Sequence, residues 1–283
     1  MQNILSIIKT LSSRGKENQS FIGATWVVTL LKVAPKRFKR RLALLLLSWS
    51  PHCFYRHIND EYHRLPFKDF LEREFKRNKE SRERIMNFIL APYLNPHQTV
   101  LDYGCGPGFL ANAVSPLVAR VFAVDVSRGV LECARILNGH KNTTYLHTTQ
   151  IEHIEDGSID LIYSFAVIQH VTDQVFDRIL DTSYKALKDR GRIVFHVVVD
   201  QQGWRDQSDW VSDKSTKGRL KLKYGLNCFN RNSESIVRML EEHGFSSVCL
   251  QPIESLCSED FDDICKQHLV TAVKRARLPR QIL

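Results

Sequence analysis

From Thr99 onward, short apolar runs alternate with stretches whose apolar positions recur at helical spacing. This is the pattern of a parallel sheet with crossover helices. Strands are predicted at Thr99–Asp102, Arg120–Asp125, Thr144–Thr148, Ile159–Ser164 and Arg192–Val199. Helices are predicted between them over Phe109–Leu117, Gly129–Leu137 and Thr172–Leu187. Asp156-Gly157-Ser158 and Arg190-Gly191 supply the turns into the fourth and fifth strands. A helix over Ser233–His243, stopped by Gly244, precedes two final strands, Phe245–Gln251 and His268–Lys274, with an acidic loop or short helix between them. The fold class expected is α/β.

Upstream the pattern changes. Residues 67–91 mix Glu, Arg and Lys with Phe70, Leu71, Phe75, Ile85, Phe88 and Ile89, which predicts one or two amphipathic helices ending near Pro92. Ile4, Leu5, Ile7, Ile8 and Leu11 share a helical face. Phe21–Ala34 and Leu42–Trp49 are nearly continuous apolar runs separated by Lys36-Arg37-Phe38-Lys39-Arg40-Arg41. Each run is shorter than the ~20 residues a spanning helix needs. The expected division is therefore a basic, apolar N-terminal helical extension over 1–60 and a main domain over 61–283, with 200–232 inserted as a lid-like segment.

Charge sharpens that division. Residues 1–60 hold ten Lys and Arg against Glu17 and Asp60, and so account for +8 of the net +9. The main domain is nearly neutral, and any argument about anionic partners belongs to the extension. Two readings stay open for it: a peripheral membrane contact at an anionic interface, or packing on the body or on a second subunit. The seven cysteines include no Cys-x-x-Cys, and no signal peptide precedes them, so reduced thiols and a cytoplasmic location, with peripheral membrane contact left open, are expected. No Cys/His cluster has zinc spacing and no carboxylate set suggests magnesium, so no metal is expected.

The chemistry-bearing stretch is Val100-Leu101-Asp102-Tyr103-Gly104-Cys105-Gly106-Pro107-Gly108. It reads as a buried strand, an acid at its carboxyl edge, a glycine-rich turn and a helix start. Glycines admit positive φ and close approach of a ligand, and the following helix turns its N-terminal amides toward the turn. Gly106-Pro107-Gly108-Phe109-Leu110-Ala111 also fits the dinucleotide fingerprint. A carboxylate at Asp102 is unhelpful beside a pyrophosphate and useful beside an α-amino group. Asp125 ends the second strand 19 residues past Gly106, where an acid accepts hydrogen bonds from ribose hydroxyls. The competing reading of Asp125 is a helix cap for the segment after Ser127.

The acid–glycine loop, Val121–Ser127, the Asp156–Ser164 turn and strand with Phe165–Val171 after it, and Leu187–Val197 together resemble class I S-adenosylmethionine-dependent methyltransferases. The nearest likeness is to the small-molecule enzymes often called type 11, which share the Asp-Gly-Ser-x-Asp-Leu-Ile-x-Ser segment and the His-Val after it. The resemblance covers 99–199 and, more loosely, runs to 275. It implies a Rossmann-like seven-stranded, mostly parallel sheet with helices on both faces and the last strand antiparallel. It implies S-adenosyl-L-methionine as cofactor, with Asp102 and the loop of Gly104, Gly106 and Gly108 on the methionyl part. Asp125 would hold the ribose and Val126 would lie against the adenine. Gln150 and Ile151 would flank that ring, although Thr148-Thr149-Gln150 lacks the acid common in that turn. Ser164 and Phe165 would stand where the sulfonium and the acceptor meet.

After strand four the chain reads Ser164-Phe165-Ala166-Val167 rather than the Asn/Asp-Pro-Pro-Tyr/Phe of enzymes that methylate a base amine. With the neutral body, this weighs against nucleic acid and toward a small-molecule or lipid-like acceptor. His170 is the candidate catalytic residue, a general base near neutral pH, against the alternative of a helix-capping or packing histidine. The aromatic-bearing segment 200–232 reads as a lid or substrate wall, or as a homodimer contact. A nucleic-acid methyltransferase and a catalytically silent cofactor-binding partner subunit remain the rival functions. A nicotinamide dehydrogenase fails on Asp102 and on the final strands.

Overall fold

The computed structural model describes residues 25–48, 66–223, 227–256 and 267–276. The apolar face Ile4–Leu11, the end of the second apolar run at Trp49, Tyr224 and the acidic stretch 257–266 lie outside the described residues.

Seven strands form one sheet in the order β3-β2-β1-β4-β5-β7-β6. They are β1 Thr99–Tyr103, β2 Arg120–Asp125, β3 Thr143–His147, β4 Ile159–Ser164, β5 Leu187–Val197, β6 Phe245–Pro252 and β7 His268–Lys274. The first five are mutually parallel, and β7 enters antiparallel between β5 and β6. The mostly parallel sheet with an antiparallel last strand is as expected. One difference lies in β5, which begins at Leu187 rather than Arg192. Leu187 pairs with Ile159, then the register shifts, and Arg190 takes φ 64° before Leu161 meets Arg192. The Arg190-Gly191 turn is thus present as an irregularity within the strand.

Side chains alternate across the pleat and bury both faces. Val100, Val121, Ala123, Tyr163 and Val194 pack against helix α3 (Phe67–Ile85) and its continuation, α4 (Phe109–Val114) and α5 (Arg128–Asn138). Leu101, Phe122, Val124, Ile162, Ile193 and Phe195 face α6 (Asp173–Ala186) and α9 (Ser233–Glu242). The helix expected over 109–117 gives way to a 3-10 turn at Ser115–Leu117, where Pro116 cannot donate to the α-helical ladder. The α3 helix passes through a π turn, Met86–Leu90, and ends in a 3-10 turn at Ala91–Tyr93, which contains Pro92.

The two described N-terminal helices are α1 (Thr25–Val33) and α2 (Lys36–Leu47). Val27, Leu31, Ala43, Leu44, Leu46 and Leu47 are buried in one cluster with Phe70, Leu71, Phe109, Val130 and Cys133. Arg40 makes a bidentate ion pair with Glu72, tying α2 to α3. Each such fully buried Leu or Val contributes ~1.5–3 kcal/mol, so much of the two apolar runs is used within the protein. Among the described residues no helix is long and apolar enough to cross a membrane.

The insertion carries α7 (Gln207–Ser212) and α8 (Thr216–Lys223). A parallel bridge between Val199 and Arg231 closes it, and Arg231 is buried. The Arg231 guanidinium bonds Asp173 Oδ1 at 2.8 Å, Ile168 O at 2.8 Å and Val171 O at 2.5 Å, which fixes the segment after β4 to the base of the insertion.

Candidate active site

The carboxyl ends of β1 and β2 build the first half of the site. Gly104, Gly106 and Gly108 all have positive φ. At Gly104 a Cβ would lie 2.4 Å from Val167 Cγ2, and at Gly108 one would lie 2.5 Å from the Tyr145 hydroxyl. A Cβ at Gly106 would meet nothing within 4 Å, so that backbone faces open space. The loop is pinned to β2 by the amides of Gly104 and Cys105, both donating to Val124 O at 2.7 and 2.9 Å.

Asp102 is buried at 2% exposure, and its Oδ2 has no hydrogen-bond partner. Burial, then the nearby Asp125 carboxylate, push its pKa up to about 8, against the opposing pull of the Arg82 guanidinium and the Ala111 amide. Without a cationic partner, burial and the second acid favour the protonated carboxyl. Asp125 sits at the end of β2. Its Oδ2 accepts from the Gly106 amide at 2.9 Å and its Oδ1 from the Ser127 amide at 2.8 Å. These two main-chain bonds orient the carboxylate. The capping of α5 falls to Ser127, whose Oγ accepts from the Val130 amide at 3.4 Å.

Val126 is partly exposed beside this edge, and its carbonyl accepts from His147 Nε2 at 2.8 Å. That bond puts the neutral-ring proton on Nε2, which lets Nδ1 accept from the Thr149 amide at 3.2 Å. Gln150 Oε1 accepts from the His147 amide at 3.1 Å, completing a capping box over Thr148–His153. The turn holding Gln150 and Ile151 is therefore fastened to Val126 through buried His147. Sequence reading missed this histidine. Arg82 was missed as well. It comes from α3, far upstream, and acts electrostatically on both Asp102 and His196.

The second half lies after β4. Ser164 is fully buried and donates to Tyr103 O at 2.7 Å, which locks β4 to β1 at their ends. Phe165 stacks on His196 of β5 with ring centroids 6.0 Å apart and planes 9° apart. His196 Nδ1 accepts from the Ala166 amide at 3.1 Å, and Ala166 holds φ 59°. Burial drives the His196 pKa down to about 3, so the ring is neutral and suited to accept that bond. The backbone then descends through Ile168–His170, and His170 Nδ1 donates to Asn227 O at 2.7 Å. The structure thus gathers Asp102, the three glycines, Asp125 and Val126 on one edge. Gln150 and Ile151 lie beside it, and Ser164, Phe165 and His170 follow the adjoining strand.

Comparison with known proteins decides the family. A family model described as a methyltransferase domain matches residues 61–250. The chain belongs to this family of S-adenosylmethionine-dependent methyltransferases. It is 36% identical over 77 residues to N-demethylindolmycin N-methyltransferase of Streptomyces griseus, covering 26% of this chain and 32% of that protein. It is 30% identical over 122 residues to phosphoethanolamine N-methyltransferase of Triticum aestivum, covering 42% of this chain and 24% of that protein. The matches thus span about a quarter to a third of these two relatives' own lengths. A chain of the solved complex formed with the Haloferax volcanii Trm112 methyltransferase activator superposes with TM-score 0.50 at 14% identity, covering 71% of this chain and 94% of that one. That likeness concerns the fold alone.

Proposed function

We propose that this protein transfers a methyl group from S-adenosylmethionine to a small-molecule acceptor. The observation that carries the reading is the orphaned, buried Asp102 Oδ2 beside the open face of Gly106 and the amide-oriented Asp125. These residues fit the cofactor. Asp102 would take the α-ammonium group, the loop glycines would pass along the methionyl part, and Asp125 would accept from the ribose hydroxyls. Val126, Gln150 and Ile151 would border the adenine. Arg82, which already acts electrostatically on Asp102, would meet the cofactor's carboxylate. When bound, S-adenosylmethionine supplies a sulfonium-activated methyl carbon for in-line displacement.

The chain's own work is then alignment, exclusion of water and removal of a proton. Phe165, fixed by the His196 stack, would wall the reacting region. His170 is held through Nδ1 by the Asn227 carbonyl, which places the neutral ring's lone pair on Nε2, the arrangement a base requires. In this reading His170 accepts the acceptor's proton as the new bond to carbon forms. Relatives named for N-methylation of two dissimilar small molecules support a small acceptor. The test is incubation of the purified chain with isotopically labelled methyl donor and small-molecule extracts. Label appearing in a low-molecular-weight product supports the reading, and label remaining in the donor despite cofactor binding favours a catalytically silent binding subunit.

A further inference from the structure

The insertion contains a cavity of 520 Å³ whose lining includes Trp204, Arg205, Trp210, Lys217, Lys221 and Cys228. That volume lies within the ~300–1,000 Å³ of small-ligand sites. Its charges are unequal. Arg205 is matched by Asp213 at 2.8 Å and donates to Asp209 O at 2.5 Å. Lys217 and Lys221 have no carboxylate partner among the described residues. The Trp210 ring already has the Arg205 guanidinium 4.4 Å from its centroid and the Lys221 ammonium at 5.7 Å. Asp213 also lines the cavity but is paired with Arg205, so the excess charge among the described residues is that of Lys217 and Lys221, which favours an anion over a cation.

The cavity adjoins the segment after β4. Cys228 lines it, and the Cys228 sulfur lies 3.7 Å from His170 Nδ1. The Cys228 carbonyl accepts from Trp210 Nε1 at 3.0 Å, and the neighbouring Phe229 amide donates to Gln169 O at 2.7 Å. One residue therefore joins the cavity wall to the candidate base. The same stretch holds polar groups with unmade bonds. Asn227 is 1% exposed with neither its amide nitrogen nor its oxygen partnered, and Gln169 is 5% exposed with Oε1 unpartnered.

We infer that this cavity seats an anionic group of the methyl acceptor, a phosphate monoester or a carboxylate. Lys217 and Lys221 are its counter-charges, and Trp204 and Trp210 line the space for its apolar portion. The inference rests on the methyltransferase reading and names the substrate class of that same site.

The test uses the whole chain and three probes with one ring in common: phenyl phosphate, benzoate and benzyl alcohol. Binding is followed by tryptophan fluorescence and calorimetry, with S-adenosylhomocysteine titrated into the same preparation. At least one anionic probe is expected to bind saturably and at least tenfold more tightly than benzyl alcohol, and the order of the two anions separates phosphate from carboxylate. The double variant Lys217→Ala with Lys221→Ala should lose at least tenfold for that anion while keeping S-adenosylhomocysteine affinity within twofold. Arginine at both positions should retain most of the binding. Equal affinity for benzyl alcohol, no saturable anion binding, or an unaffected double variant overturns the inference if S-adenosylhomocysteine binds normally. Failure of S-adenosylhomocysteine to bind the folded chain instead removes the methyltransferase reading, and the acceptor assignment with it.

Discussion

The β1–β2 edge and the 200–232 insertion are built by different means. At the edge the backbone itself makes the site: Gly104 abuts Val167, Gly108 abuts Tyr145, and two main-chain amides aim Asp125. In the insertion the lining comes from side chains whose positions depend on caps and cation–ring contacts, as in the Asp206 capping box of α7 and the Arg205–Trp210 contact. An edge fixed by backbone geometry tolerates few residue types. A wall made of side chains can be rewritten one residue at a time without disturbing the sheet. The two halves meet along Phe165–His170, which is fastened to the fold by His196 and Arg231.

The largest effect should come where the two regions meet. His170→Gln is expected to lower turnover of an identified acceptor at least a hundredfold, corresponding to ~2.7 kcal/mol in the barrier, with cofactor affinity unchanged. The pH–rate profile should also lose its acidic limb. A loss below tenfold with an unaltered profile would make His170 a structural residue and move the base role elsewhere.

The edge itself should show a proton linkage. In the ligand-free chain, Asp102 keeps a proton up to about pH 8 that the unfolded chain releases near pH 4. The native state therefore binds more protons across that window, and this group's contribution to stability falls as pH rises through it. A cofactor ammonium beside Asp102 favours the ionised form. Binding below about pH 8 should then release up to one proton, and affinity should rise with pH toward 8. Calorimetry in buffers of differing ionisation enthalpy checks this, and Asp102→Asn should abolish the release. Binding without proton release at pH 6 would show that the ammonium lies elsewhere.

The smallest effect concerns Ala166, held at φ 59° between the two regions. A non-glycine residue there costs ~1–2 kcal/mol, partly offset by the ~0.5–1 kcal/mol by which glycine is entropically less favourable. Ala166→Gly should thus leave melting unchanged or raise it slightly. A clear drop would mean that the methyl group packs usefully enough to outweigh the strain.

Sequence alone was most informative where local physics dominates. The strands β2 (Arg120–Asp125), β4 (Ile159–Ser164) and β7 (His268–Lys274) match their expected spans because apolar runs bounded by turn residues define them. The acid–glycine loop was legible because positive φ at three nearby positions requires glycine. The Arg82 and His147 contributions were not legible. Arg82 is 20 positions before Asp102 and reaches the site only because α3 packs over the sheet, while His147 works through a tautomer set by the Val126 carbonyl. The charge balance of the insertion was hidden for a related reason. Sequence shows basic and acidic residues mixed together, and only the fold pairs Arg205 with Asp213 and leaves Lys217 and Lys221 without a carboxylate partner among the described residues.

The central claim is that the β1–β2 edge binds S-adenosylmethionine through its two acids and the loop between them. The most direct measurement is a calorimetric titration of S-adenosylhomocysteine into the wild-type chain and into Asp125→Ala, with melting curves taken on both. The account predicts one site in the wild type and at least tenfold weaker binding in the variant, since hydrogen bonds to a charged group contribute ~1.5–3 kcal/mol each, with both proteins folded. No binding by the folded wild type, or equal affinity in the two proteins, would contradict it.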